Sequence, residues 1–199
     1  MKKLFSIFVL LVLFTLHSCS ESETTNTSNE NINVSKIAEV LKEQDYDTQK
    51  LMYLNLTSDE KFKLWDDKLV KLQGDKRLSL NQRELIKELR GQFDSEVFVE
   101  KKYNDKAEVF KNIYAKDFLK RAEVLFDRNF IRDNFYNIST NLLGKLGTKS
   151  CSCNIGATFT CTYKIECRSI QNCNSSSNGC GFLGAFECNG NCDVLNPNP

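Results

Sequence analysis

Histidine and proline are almost missing from this sequence. Its 199 residues hold one histidine, His17, and two prolines, Pro197 and Pro199. His17 directly follows an N-terminal apolar run that reads as an export signal, so the exported chain is expected to carry no imidazole. That excludes Ser-His-Asp and Cys-His catalysis and any zinc site with histidine ligands. No proline lies between residues 34 and 143 to break a helix. A strong charge of either sign is lacking too: 27 basic against 26 acidic residues leave a net charge of +1. A broad nucleic-acid footprint needs a strongly basic face, so no nucleic-acid partner is expected. There is no glycine-rich phosphate loop, no basic stripe interleaved with aromatics, and no carboxylate pair set apart from the charged background. The expectation is a protein that is not an enzyme, with no cofactor, no metal site and no small-molecule substrate.

What is present begins with a signal. Met1-Lys2-Lys3 is basic, and Leu4 to Leu16 is an uncharged apolar run of 13 residues. A permanent span needs about 20 such residues, so the run is short for an anchor and right for a signal core. Leu16-His17-Ser18-Cys19 then resembles the lipobox of bacterial lipoproteins. The resemblance implies removal of residues 1–18 and lipidation of Cys19. The chain would then be held to the membrane through that lipid, in a bacterial cell envelope at the outer membrane. A plain secretory signal cut near Ser18, with Cys19 incidental, is the alternative. Residues 19–33 hold almost nothing apolar and read as a disordered tether. Their acidic start, Cys19-Ser-Glu-Ser-Glu23, resembles the export signal of surface lipoproteins; a generic solubilising tether is the other reading.

Residues 34–149 read as a small helical domain. From Glu30 to Lys149 there are 23 basic and 21 acidic residues, and apolar positions recur at helical spacing between them. Val34, Ile37, Ala38 and Leu41 form a first stripe. Asp47 is placed to cap a second helix with Leu51, Met52 and Leu54. Thr57 and Glu60 form a capping box before the stripe Phe62, Trp65, Leu69 and Leu72, with Gly74 as terminator. Ser79 to Gln82 opens a further helix carrying Leu85, Ile86 and Leu89, with Gly91 expected after it. Asp94 or Ser95 starts the next stretch, and Asn104 interrupts or caps it. A longer helix follows with Ala107, Phe110, Ile113, Tyr114, Phe118, Ala122, Leu125 and Phe126. The segment from Phe130 to Leu143 is expected to pack back on the bundle. Stripes of this width must bury against each other, and the charges are the solvated outer face.

Composition breaks at Leu142 to Lys149. Residues 150–199 carry five charged residues and eight of the nine cysteines: Cys151, Cys153, Cys161, Cys167, Cys173, Cys180, Cys188 and Cys192. With Cys19 set aside, the odd total becomes an even set in one exported segment, which reads as a disulfide framework of four bridges. No C-x2-C pair occurs, which argues against zinc knuckles and against a redox dithiol. Pairing stays open, since eight cysteines allow 105 connectivities. So short a segment cannot stand on an apolar core alone. Thr158 to Glu166 reads as a strand, Asn178-Gly179 and Asn189-Gly190 as turns, and Gly181 to Phe186 as a further strand candidate. The expected fold is α+β in separate parts: an all-α domain, then a disulfide-rich β module. Phe159, Tyr163, Phe182, Leu183 and Phe186 are its expected exposed or half-exposed recognition surface.

The segment opening Cys151-Ser-Cys153 and closing Gly179-Cys-Gly-Phe…Glu187-Cys-Asn-Gly-Asn-Cys192 resembles the bacteriocin of the fulvocin C-related family. Leu56 to Leu69 and Leu80 to Leu89 likewise resemble the upstream part of fulvocin C-related lipoproteins. The resemblance covers about a fifth of the chain in the cysteine segment and implies an antibacterial effector closed by four disulfides. The helical domain would be its pro-region or presenter, and Lys145 or Lys149 would be a site for release. The target would be a component of another cell's envelope. A surface-tethered interaction or adhesion module without killing activity is the alternative.

Overall fold

The structure is a computed structural model, and it describes residues 32–99, 104–139, 153–155, 165–168 and 176–194. The signal segment, Cys19, the tether, and Lys145 and Lys149 lie outside the described residues.

Most helices begin where a short polar side chain can take an orphan amide. Asn33 accepts from the Lys36 amide and starts α1, Val34–Lys42. Asp45, not Asp47, accepts from Thr48 and starts α2, Tyr46–Leu54. Thr57 and Glu60 close a reciprocal capping box on α3, Ser58–Gln73, and Ser79 and Gln82 do the same on α4, Leu80–Gln92. Two amides are satisfied at each box, which is why these two starts are legible from sequence. Gly74 follows α3 as expected, but Gly91 lies inside α4 rather than after it. Asp94 caps a single 3-10 turn, Ser95–Phe98.

Asn104 caps α5, Asp105–Val109. It continues through a π turn, Phe110–Tyr114, into α6, Ala115–Leu125. A π turn inserts one residue into the helical register. Phe110, Tyr114 and Phe118 therefore line one side, with the first two stacked at 5.8 Å. Ile113, expected on that stripe, is left 65% exposed. Asp127 caps α7, Arg128–Phe135, which turns Ile131 and Phe135 into the bundle.

The rest is antiparallel β. The strand β1, Ile165–Arg168, pairs with β4, Asn191–Val194, with Cys167 opposite Cys192. The strand β2, Ser176–Cys180, pairs with β3, Phe186–Cys188, through an irregular register. Asn178-Gly179 thus lies within a strand and is not a turn, whereas Asn189-Gly190 joins β3 to β4. Only the end of the Thr158 to Glu166 candidate falls on β1; its earlier part lies outside the described residues.

One buried cluster joins both parts. Leu64, Trp65, Leu69, Ile86, Leu89, Phe118, Ile131 and Phe135 share it with Phe182, Leu183 and Ala185. The chain is α+β, but the β part does not pack as a separate body. The described residues form one compact unit.

Candidate functional site

The site is the loop between β2 and β3 and the helical seat that receives it. The loop is closed at its neck by a disulfide between Cys180 and Cys188, with Cα atoms 5.2 Å apart. Its tip is a 3-10 turn, Phe182–Gly184, in place of the expected strand. Gly181, Leu183 and Gly184 all have positive φ, and Leu183, at φ 52, is the non-glycine among them. A left-handed leucine is costly, of the order of 1–2 kcal/mol, and must be held by its surroundings.

Those surroundings are the helices. The Phe182 ring lies 5.2 Å from Phe118, 6.1 Å from both Phe110 and Phe135, and 6.0 Å from Tyr136. Leu183 and Ala185 are fully buried beside it. Under the turn stands Tyr53 of α2. Its hydroxyl accepts from the Trp65 indole N–H at 3.1 Å and faces the Leu183 and Gly184 carbonyls at 3.5 Å. The Lys61 ammonium lies 5.6 Å over its ring. Burial pushes the Tyr53 phenol far above its ordinary value, so it stays a neutral donor.

At the loop's neck a cation meets sulfur. Lys50 of α2 is buried, and its Nζ lies 2.6 Å from Cys180 Sγ and 6.0 Å over the Tyr46 ring. The second described disulfide joins Cys153 to Cys167 and ties residues 153–155 to β1. The same residues are strapped to the β3–β4 turn. Cys153 exchanges backbone bonds with Gly190, Asn154 donates to the Glu187 carbonyl at 2.8 Å, and the Ile155 amide donates to Asn189. Gly190 fits because nothing larger would: a Cβ there would lie 2.8 Å from both the Arg168 carbonyl and Cys167 Sγ.

The expected recognition surface is corrected by this packing. Phe182 and Leu183, expected to be exposed or half-exposed, are 1% and 0% exposed, because their side chains fill the helical core. Phe186 is half-buried and packs against that core. Phe159 and Tyr163 lie outside the described residues. Of the eight cysteines, Cys153, Cys167, Cys180 and Cys188 form the two described bridges. Cys151, Cys161 and Cys173 lie outside the described residues, and Cys192 is placed only by its strand. Sequence reasoning misses Lys50 and Tyr53. The available signal is the uncharged run Ser176 to Phe186 inside a charged protein, which needs an apolar partner elsewhere.

An open groove of about 580 Å³ between α4 and α6 is lined by Glu84, Lys87, Glu88 and Arg121 among others. Its charges pair with each other: the Arg121 guanidinium donates to both Glu88 oxygens, at 2.6 and 2.8 Å, and the Tyr114 hydroxyl donates to the same carboxylate. Among the described residues no group of His, Cys, Asp and Glu is placed to hold a metal ion, and no helix is long and apolar enough to cross a membrane. No family model, no curated protein and no solved structure matches the chain.

Proposed function

We propose that this chain is an exported, lipid-anchored bacteriocin-like protein of the bacterial envelope, in which the helical domain presents the cystine-rich C-terminal module as an antibacterial effector. The module acts while still seated on the helices. The burial of Phe182 and Leu183 carries this choice of presenter over a pro-region that lets its cargo go. Pulling the two side chains into water would cost about 1.5–3 kcal/mol each from lost burial alone. A cut at Lys145 or Lys149 would therefore leave a module whose departure must expose both side chains. Killing itself rests on the resemblance of the cysteine segment and of the helical stretch upstream of it. Four disulfides would complete the module, Cys19 would hold the lipid, and the partner would be a component of a target cell's envelope. Neither a nucleic acid nor a small-molecule substrate enters.

A second reading keeps the anchor and the module but assigns it adhesion without killing. The seat favours it equally, since a rigid, disulfide-held surface binds with little ordering cost. Purified chain spanning residues 20–199, applied to related strains, separates the two. Loss of viability and dye leakage from vesicles, with the chain recovered at full mass, supports the effector. Binding to cells that stay viable supports adhesion. Activity only after proteolysis, in a fragment that leaves the helices, overturns the presenter.

A further inference from the structure

We propose that the outer face of α4 is a homodimer surface, on which the α4 helices of two copies of this chain pack antiparallel across a two-fold axis. The pairing does not depend on what the module does to another cell.

Leu80, Glu84, Lys87 and Gly91 recur on α4 at spacings of four, three and four. That spacing sets them in one stripe, the kind that meets a second helix. Leu85, Ile86 and Leu89 turn into the core, so the stripe faces outward. Glu84, Lys87 and Gly91 line the groove between α4 and α6. Leu80 stands at its head and is 65% exposed. Gln82 Nε2 donates to the Leu125 carbonyl at 2.6 Å, which holds the end of α6 at the start of α4. Val124, 83% exposed, therefore adds apolar surface at the same end as Leu80.

The stripe is complementary to itself when reversed. Turned end for end about a point midway between residues 85 and 86, Leu80 meets the second copy's Gly91, and Glu84 meets the second copy's Lys87. One axis produces both pairings, as an isologous contact requires. Leu80 is the knob and Gly91 the notch: a Cβ built on Gly91 meets nothing within 4 Å of it. The chain's own fold thus leaves room there for a side chain, and the second copy's Leu80 fills it. The charges agree with the shape. Glu84 and Lys87 pair within one helix at 3.7 Å and leave 59% and 63% of their side chains exposed. About the axis the two glutamates and two lysines alternate, so each carboxylate gains a second cation and keeps its own. Parallel docking in register would instead set glutamate on glutamate and lysine on lysine, which is unfavourable. Two helices of this length meet over about 20 Å, and an exposed charge pair contributes about 0.2–1 kcal/mol. The dimer is therefore a weak one, with a dissociation constant on the order of 100 µM.

The test is sedimentation equilibrium of the oxidised chain spanning residues 20–199, at low salt and up to about 500 µM, a concentration that populates a dimer of this strength. A monomer–dimer equilibrium that weakens with added salt is expected. Glu84→Lys and Lys87→Glu each set like charges across the axis and are expected to weaken it about tenfold. Mixed in equal amounts, the two variants are expected to form a heterodimer as strong as the natural dimer, since every pair across the axis is then opposite in sign. Gly91→Leu is expected to abolish the dimer and leave the urea midpoint in place, because the added side chain meets nothing of its own chain. A monomer throughout the range overturns the proposal. So does a dimer that keeps its strength in Glu84→Lys or Gly91→Leu, or a mixture of the two charge variants that does not associate. All three positions are exposed, so the variants are expected to fold.

Discussion

Gly184 and Tyr53 meet so closely that a Cβ on the glycine would lie 2.6 Å from the tyrosine hydroxyl oxygen. The contact joins the second helix to the tip of the cystine loop, 131 residues further along the chain. The glycine also has φ +61, which disfavours any side chain there.

Gly184→Ala is therefore expected to cost about 2 kcal/mol or more, from a strained backbone and an overpacked neighbour. In a Tyr53→Phe background the hydroxyl is gone and the added cost should fall by about 1 kcal/mol. Urea unfolding of the four proteins of this cycle measures the coupling. A cost unchanged by Tyr53→Phe would take the hydroxyl out of the penalty and leave it to φ and to the ring carbons at 3.0 and 3.1 Å.

Phe182→Ala removes a ring wedged between four others and should cost about 3–5 kcal/mol. The informative feature is which signals move. Far-ultraviolet circular dichroism reports the helices, and Trp65, the one tryptophan, reports the seat. Both should shift to lower urea in a single transition. A helical signal that stays in place would mean that the loop is not part of the core.

Glu60 ties the start of α3 to α1. Its carboxylate accepts from the Thr57 amide at 2.8 Å and the Asn33 amide at 3.3 Å, and pairs with Lys36 at 3.3 Å. Burial pushes the carboxyl up, but these donors and the Lys36 charge outweigh it and hold it below the ordinary value. A depressed carboxylate contributes stability at neutral pH, lost as pH falls through its folded value. Glu60→Gln keeps the capping box, since Gln also reaches back to the N-cap amide. The variant is expected to be less stable at neutral pH and to show a shallower acid limb in chemical denaturation.

Lys68 predicts the opposite limb. Its ammonium donates to the Asp133 and Asn137 carbonyls at the end of α7 and lies 5.2 Å over the Trp65 ring. Burial brings it down to about 8, with the Asp133 charge opposing. Between that pH and the ordinary lysine value the unfolded chain holds a proton that the folded chain has shed. Stability therefore rises with pH across the lower part of this window. The buried phenol of Tyr53 and the half-buried phenols of Tyr114 and Tyr136 are pushed up, so unfolding is favoured once free tyrosine ionises, near about pH 10. A maximum between about 8 and 10 is expected, and Lys68→Met should remove the rise. A flat profile in the natural chain would show that Lys68 keeps an ordinary affinity for its proton.

The helices are legible where local chemistry fixes them. Thr57 with Glu60, Ser79 with Gln82, Asn104 and the stripe around Trp65 and Leu69 all act within a turn or two, and each stands where the pattern places it. Legibility fails where the partner is remote. Ile113 falls off its expected stripe because a π turn has no periodic signature. Leu51 belongs to the inward stripe by spacing and is 52% exposed, while Gln49 and Lys50 are buried, because that face of α2 meets the end of α1, Ser139 and the cystine loop. Phe182 and Leu183 read as a surface if a cysteine-rich segment stands alone, and only the fold reveals their seat. That Cys153 and Cys180 are bridged follows from the even cysteine count; their partners do not.

The contact between Tyr53 and Leu183 also sets an order of assembly, because it spans 130 residues. A chain emerging from its N-terminus completes the described α-helices before Phe182, Leu183 and Ala185, which complete their core, exist. Until then the ring faces of Phe110, Phe118 and Phe135 have no Phe182 to cover them. Contacts this distant in sequence form late, since loop closure must come first. The last fifth of the chain thus acts as the stopper of its own folding: a chain cut short before residue 182 leaves an aromatic socket open to anything apolar nearby.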